Sequence, residues 1–138
     1  MILVLDASAA AELLIGSSRG RAAERVIGDA ELYAPAHLAV EVLSVLCGWV
    51  LSREVTADRA RIALADLDAL GVHWMDLPPL LGAAWQLRDN VSAYDAVYVA
   101  LAEALDCPPS SPSTAGSRRH RRAVSFPAHH AEVVDSPT

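Results

Sequence analysis

The first five residues, Met1 to Leu5, form an unbroken apolar run. Such a run predicts a strand that is buried on both faces, as strands of a parallel sheet are. Asp6 ends the run, and Ser8 is well placed to cap a helix over residues 9–15. The further helices that the pattern of apolar and capping residues predicts cover residues 21–27, 37–53, 57–70, 80–88 and 93–105.

A second apolar strand is expected over residues 72–77, after a helix that Thr56 caps and Gly71 ends. Strands that alternate with helices are typical of the α/β class, in which helices flank a central parallel sheet. A chain of 138 residues suits one domain of this class, which we place at residues 1–107.

The sequence changes character after Cys107. Residues 108–117 are a low-complexity stretch of Pro, Ser, Thr, Ala and Gly, and residues 118–122 form a basic cluster. Neither segment has hydrophobic periodicity, so we expect residues 108–138 to be an aberrant, disordered tail in which regular strands are lost. Only residues 131–134 have the composition of a further strand. The basic cluster is either a solvated tail or a nonspecific contact for RNA.

The charged residues restrict the function classes that fit this chain. The formal net charge is −6, so the overall field does not attract nucleic acid, and any RNA contact needs local Arg groups or metal held by acids. All eleven basic residues are Arg. Phosphate-loop nucleotide binding and Schiff-base chemistry are thereby largely excluded, because each depends on a Lys amine.

The two cysteines, Cys47 and Cys107, have neither metal-ligand spacing nor a disulfide framework. We therefore expect two reduced, buried thiols, which fits a cytoplasmic protein. The apolar start lacks a basic lead and is interrupted by Asp6, so we do not interpret it as a signal peptide. No apolar run reaches the roughly 20 residues that a membrane-spanning helix needs.

Three acids stand where chemistry is expected. Asp6 follows the first strand, at the sheet edge where α/β proteins bind ligands, although it could instead cap the next helix. Glu41 lies close to an apolar helix stripe, where an unpaired carboxylate costs several kcal/mol, so it needs a cation, an Arg or a water-filled pocket. Alternatively, it is a rim-exposed helix residue. Asp95 begins an apolar helix and could serve only the helix dipole.

Taken together, the three acids indicate a metal site more strongly than any one does. Carboxylates brought together repel by about 4 kcal/mol per pair at about 4 Å and an effective dielectric of about 20, and a divalent cation reverses that sign. Mg²⁺ takes oxygen ligands and keeps several waters. Such waters can attack a phosphodiester while the metal stabilises charge on the phosphate oxygens.

The segments ILVLDASA, HLAVEVLSVL and SAYDAVYVALAEAL resemble the three successive acidic blocks of PIN-domain ribonucleases, specifically the VapC-type toxins of type II toxin–antitoxin systems. This resemblance covers residues 1–107. It implies a three-layer α/β PIN-like fold and cleavage of RNA phosphodiester bonds. It also implies Mg²⁺, or Mn²⁺, held by Asp6 and Asp95, with Glu41 completing the first shell or orienting the attacking water. The implied partners are a VapB-like antitoxin across the active-site groove and a second copy in a homodimer.

The resemblance fails after the Asp95 helix. Such toxins carry a fourth acid in a segment of the form Leu-Leu-Thr-x-Asp-x-x-Leu-Ala, and that acid would fall at Ser113. A shifted reading frame over residues 109–118 can encode Leu-Leu-Thr-Val-Asp-Gly-Arg-Leu-Ala. We therefore hypothesise a frameshift near residues 108–109. An unrelated disordered tail is the other interpretation.

Two other functions compete with the ribonuclease. One is a catalytically inactive toxin remnant that binds or titrates an antitoxin, which the altered tail favours. The other is phosphoryl transfer on Asp6, as in haloacid-dehalogenase-like phosphatases and receiver domains. The sequence disfavours it, because such phosphatases have a second Asp where Ser8 stands and both classes use a Lys, which this chain lacks.

Overall fold

The computed structural model describes residues 1–106 and 123–124. Its strands and helices, in chain order, are β1 (Ile2–Leu5), α1 (Ala7–Ile15), α2 (Ser18–Ile27), β2 (Glu31–Pro35), α3 (Leu38–Leu51), α4 (Ala57–Ala65), β3 (His73–Met75), α5 (Leu81–Gln86), α6 (Ala93–Asp106) and β4 (Ala123–Val124). Short 3₁₀ turns precede β3 and α5, at Leu67–Leu70 and Pro78–Leu80.

The strands form one parallel sheet in the order β3-β2-β1-β4. Leu3 of β1 lies opposite Leu32 of β2, and Tyr33 of β2 lies opposite His73 of β3. The predicted α/β class with a central parallel sheet is confirmed. The sequence analysis missed β2, whose polar first residue and final proline hide it from the apolar-run criterion.

The short strand β4 pairs in parallel with β1, opposite Val4 and Leu5. It gives β1 a neighbour on both sides, which suits the continuous apolar sequence of β1. The sequence analysis did not expect a strand at Ala123–Val124. The strand that it considered at residues 131–134, and the altered segment at residues 109–118, lie outside the described residues.

Alternation along β1 separates two apolar cores. Leu3 and Leu5 pack into a larger core with α1, α3 and α4, whereas Val4 packs into a smaller core with α5 and α6. Because successive side chains of a strand point to opposite faces, helices cover both sides of the sheet. The predicted three-layer arrangement is therefore confirmed.

The predicted caps of α4 and α6 are confirmed, whereas the starts of α1 and α2 need correction, since α2 begins at Ser18 and not at residue 21. Thr56 accepts a hydrogen bond from the Arg59 amide at the start of α4, and Ser92 accepts one from the Asp95 amide at the start of α6. Helix α1, however, is capped by Asp6 and not by Ser8, which lies inside the helix. Asp6 therefore has the structural role that the sequence analysis considered as its alternative.

Helix α1 is fixed at its carboxyl end by close contacts. A Cβ added to Gly20 of α2 would lie 2.1 Å from the Glu12 carbonyl oxygen, so only glycine permits this approach. From α4, the Arg59 guanidinium donates to the carbonyl oxygens of Leu14 and Ile15, at 2.8 and 3.0 Å. These contacts satisfy carbonyls that a helix end leaves without intrahelical partners.

Cys47 is a free thiol, as expected, but the prediction that it is buried is wrong. It lies on α3 away from the buried positions Leu38, Val42 and Leu46, so its side chain faces outward. Cys107 lies outside the described residues. Among the helices that the structure describes, none combines the length and apolar character needed to cross a membrane.

Candidate active site

Asp6 lies at the carboxyl end of β1. Its Oδ1 accepts a hydrogen bond from the backbone N–H of Ala9 at 2.8 Å, and the side chain is partly buried. The side chain therefore lies at the sheet edge predicted for a ligand and also caps α1. Carboxyl ends of parallel strands meet at this edge, which is where open α/β sheets bind ligands.

Glu41 lies in the first turn of α3 with its side chain 28% exposed. The Tyr98 hydroxyl donates a hydrogen bond to Glu41 Oε2, and His37 Nε2 lies 3.5 Å from the same oxygen. The carboxylate is thus neither unpaired nor simply on the helix rim. The sequence analysis expected a cation, an Arg or a water-filled pocket beside this carboxylate, and it did not anticipate the phenol and the imidazole that lie there.

Asp95 lies in the first turn of α6 and is exposed. Ser92 Oγ donates to Asp95 Oδ2 at 2.9 Å and accepts the Asp95 backbone N–H at 3.2 Å. The Ser92 hydroxyl therefore caps the helix and also holds the Asp95 carboxylate. Asp95 also gains from the positive end of the helix dipole.

The pKa of the Tyr98 phenol is affected by all three predicted acids. Burial raises the pKa of its phenol far above the usual range, and the hydrogen bond and charge of Glu41 raise it further. The charges of Asp6 and Asp95 raise the same pKa. Neighbouring negative charges favour the neutral form of a phenol. The three acids belong to separate elements, with Asp6 directly after β1, Glu41 in the first turn of α3 and Asp95 in the first turn of α6.

His37 is the second neighbour of the acids that sequence reasoning missed. Its buried Nε2 lies 3.5 Å from Glu41 Oε2 but makes no hydrogen bond within the described residues. Its ring meets that of Tyr98 edge-on at 5.0 Å and that of Tyr94 at 5.7 Å. Helical spacing was the available signal, because His37 precedes Glu41 by four residues, and four-residue pairs share a helix face.

The geometry agrees with comparisons to known proteins. The family model described as PIN domain matches residues 3–108. This chain belongs to the PIN-domain family. The suspected family membership is thereby confirmed.

Several curated relatives of this PIN domain carry a more specific name. Ribonuclease VapC12 of Mycobacterium tuberculosis is 35% identical over 107 residues, which are 78% of this chain and 83% of that protein. Ribonuclease VapC1 of the same organism is 40% identical over 107 residues, 76% of this chain and 80% of that protein. VapC ribonuclease Mb0985 of Mycobacterium bovis is 36% identical over 106 residues, 77% of this chain and 81% of that protein.

The donor set of this PIN domain suits a hard divalent cation. Within residues 1–106 and 123–124, no three Asp, Glu, His or Cys side chains lie close enough to hold a metal ion by themselves. Mg²⁺ does not require such a cage, because it is commonly held by one or two carboxylates and keeps several waters. Glu41 and Asp95 form no ion pair with an Arg in this part of the chain, so a cation is a suitable counter-charge.

Proposed function

We propose that this protein is a metal-dependent endoribonuclease toxin of the VapC type, which cuts phosphodiester bonds in RNA. The observation that carries the proposal is the placement of the three acids, with Asp6 at the carboxyl end of β1, Glu41 hydrogen-bonded to Tyr98 of α6 and Asp95 in the first turn of that same helix. The names of the relatives, which are ribonucleases, support the substrate class.

Asp6 and Asp95 are the proposed ligands of Mg²⁺, for which Mn²⁺ can substitute. In each residue a hydrogen bond already holds one carboxylate oxygen, from the Ala9 N–H for Asp6 and from the Ser92 hydroxyl for Asp95. Little conformational freedom is therefore lost when these side chains bind a cation. Glu41 completes the ligand shell or orients the attacking water. When bound, the metal supplies an activated water and stabilises negative charge on the phosphate.

The electrostatics explain why this site would need a metal. The chain has a net charge of −6, and the proposed site contains three acids and no Lys. A phosphodiester would be repelled by those acids alone. A divalent cation between them changes the sign of the interaction, so metal and RNA binding are expected to be linked.

A cleavage assay on the full chain tests this proposal. Single-stranded RNA should be cut with Mg²⁺ or Mn²⁺, and a chelator should stop the reaction. We expect Asp95→Asn to lower the rate by at least about 100-fold, since removing a charge-stabilising group typically costs two to three orders of magnitude. Asp58→Asn is the matched control, because Asp58 is an exposed acid in the first turn of α4. Cutting that survives the chelator, or that Asp95→Asn leaves intact, contradicts the proposal.

The proposed partners are a VapB-like antitoxin that covers the active-site groove, and a second copy of this chain in a homodimer. The net charge of −6 favours a basic segment as the contact of the antitoxin. The free thiol of Cys47 is compatible with a reducing compartment, so a cytoplasmic location is also part of the proposal.

A second function is favoured by one observation in the sequence. Ser113 stands where the fourth acid of such toxins is expected, in a segment rich in Pro and Ser. The alternative is therefore an inactive toxin remnant that binds or titrates its antitoxin, with residues 1–107 as the domain and residues 108–138 as an aberrant tail produced by a frameshift. Sequencing the gene and restoring the other frame separates the two: activity gained only on restoration supports the remnant.

A further inference from the structure

We infer that Tyr98 is a positioning residue of this site, which holds the Glu41 carboxylate in the orientation that the metal centre needs. The inference rests on the proposed function and goes beyond it, because the three acids alone do not explain why a phenol stands among them. The direct observation is the hydrogen bond that the Tyr98 hydroxyl donates to Glu41 Oε2.

The Tyr98 side chain is itself firmly placed. It is partly buried and packs against both apolar cores, the larger one beside α1 and α3 and the smaller one beside α5. The edge of its ring also contacts the His37 ring, at a centroid distance of 5.0 Å. A side chain packed on several sides has few alternative rotamers, so its hydroxyl is a fixed donor.

This hydrogen bond joins two helices that pack mainly on other elements. Helix α3, which carries Glu41, packs chiefly against α1 and α4, whereas α6, which carries Asp95 and Tyr98, packs against α5 and the sheet. The separation between Glu41 and Asp95 therefore depends on few direct contacts between their helices. The hydrogen bond from the Tyr98 hydroxyl to Glu41 supplies one of them.

The contacts of Glu41 are confined to one of its two oxygens. Tyr98 and His37 both contact Oε2. Within the described residues, Oε1 has no hydrogen bond or ion pair. Fixing one oxygen restricts the carboxylate and leaves the other for a metal or a water, which is how supporting residues orient ligands at metal sites.

A double-mutant cycle in the full chain tests this role, with Tyr98→Phe, Glu41→Ala and both together, because Ala leaves no oxygen for the Tyr98 hydroxyl. Tyr98→Phe removes only the hydroxyl and keeps the ring that packs in the cores. We expect it to weaken Mn²⁺ binding, measured by titration calorimetry, about tenfold, the range in which loss of supporting contacts at metal sites falls. In RNA cleavage at a Mn²⁺ concentration well below its dissociation constant, kcat should fall by about the same factor, because fewer molecules carry the metal.

Tyr98→Phe should have almost no effect on Mn²⁺ binding once Glu41 is replaced by Ala. A residue that acts through Glu41 loses its influence in that background, whereas a general structural effect persists. Tyr33→Phe is the matched control, because Tyr33 is a partly buried tyrosine of β2 whose ring stacks on His73. We expect it to leave Mn²⁺ affinity and kcat unchanged.

The outcomes separate this inference from the proposed function. Tyr98→Phe with wild-type Mn²⁺ affinity, an equal loss in both backgrounds, or wild-type protein that binds no Mn²⁺ overturns the role of Tyr98. Wild-type protein that binds Mn²⁺ but cuts no RNA contradicts the ribonuclease alone, and the calorimetric series then still decides whether Tyr98 positions Glu41.

Discussion

Asp6 Oδ1 accepts a hydrogen bond from the backbone N–H of Ala9 at 2.8 Å, so the residue that directly follows β1 is also the N-cap of α1. Replacing Asp6 with a residue that caps helices but carries no charge should therefore separate its capping role from its proposed role as a metal ligand. Asp6→Asn should keep the free energy of unfolding within about 0.5 kcal/mol, because Asn caps as well as Asp, whereas Asp6→Ala should lose about 1 kcal/mol. Both variants should lose RNA cleavage. Denaturant unfolding and cleavage assays check this, and an active Asp6→Asn contradicts a metal-ligand role for Asp6.

The reciprocal bonds between Ser92 and Asp95 predict a coupled loss. Ser92→Ala should lower the free energy of unfolding by about 1 kcal/mol and also lower the cleavage rate, because the cap and the orientation of Asp95 are lost together. Thr56→Ala removes the equivalent cap of α4, where no proposed catalytic acid lies. It should cost similar stability and leave the rate unchanged. Equal rates in the two variants would argue against orientation of Asp95 by Ser92.

Gly20 and Gly48 offer a matched pair of helical glycines. A Cβ at Gly20 would meet the Glu12 carbonyl oxygen at 2.1 Å, whereas one at Gly48 would meet nothing within 4 Å. Gly20→Ala should destabilise the protein by about 2 kcal/mol or more, as forced overpacking does. Gly48→Ala should stabilise it by up to about 1 kcal/mol, because alanine is the better helix former. Thermal unfolding of both variants measures the contrast, and a neutral Gly20→Ala would mean that α1 and α2 separate easily.

Arg59 links α4 to the end of α1 through two carbonyl oxygens. Arg59→Ala should lower the free energy of unfolding by about 1 to 3 kcal/mol, the range for hydrogen bonds to charged groups. Arg61→Ala is the control from the same helix, since Arg61 is exposed. Its effect should stay within about 0.5 kcal/mol, as for ordinary surface substitutions. Similar unfolding curves for the two variants contradict a structural role for the Arg59 contacts.

The raised pKa of Tyr98 predicts a pH dependence of stability. Burial is the main cause, followed by the Glu41 hydrogen bond and the neighbouring carboxylates. Because the folded pKa exceeds the unfolded value of about 10, the folded state is favoured below pH 10 and loses that advantage as the pH rises above it. Tyr98→Phe should therefore make stability less dependent on pH between about pH 10 and 12. Unfolding measured across that range checks this, and an unchanged slope contradicts it.

Sequence reasoning predicted the sheet class and most helices because those depend on local apolar pattern and caps. It missed β2, where Pro35 and a polar first residue break the pattern, and it gave the α1 cap to Ser8 because both Asp6 and Ser8 are good capping residues. It selected Asp6, Glu41 and Asp95 as one set, from their positions and from the resemblance. It could not find Tyr98 as the partner of Glu41, since that contact spans 57 residues and depends on how α3 and α6 are placed.

The most direct measurement of the central claim is anomalous diffraction from crystals of the full chain soaked in Mn²⁺. We expect a single strong peak at this end of the sheet, with carboxylate oxygens of Asp6 and Asp95 at roughly 2 Å or one bridging water away. Glu41 should reach the same ion directly or through its water shell. A crystal that binds Mn²⁺ only elsewhere, or that shows these three carboxylates unable to share one ion and its waters, contradicts the account.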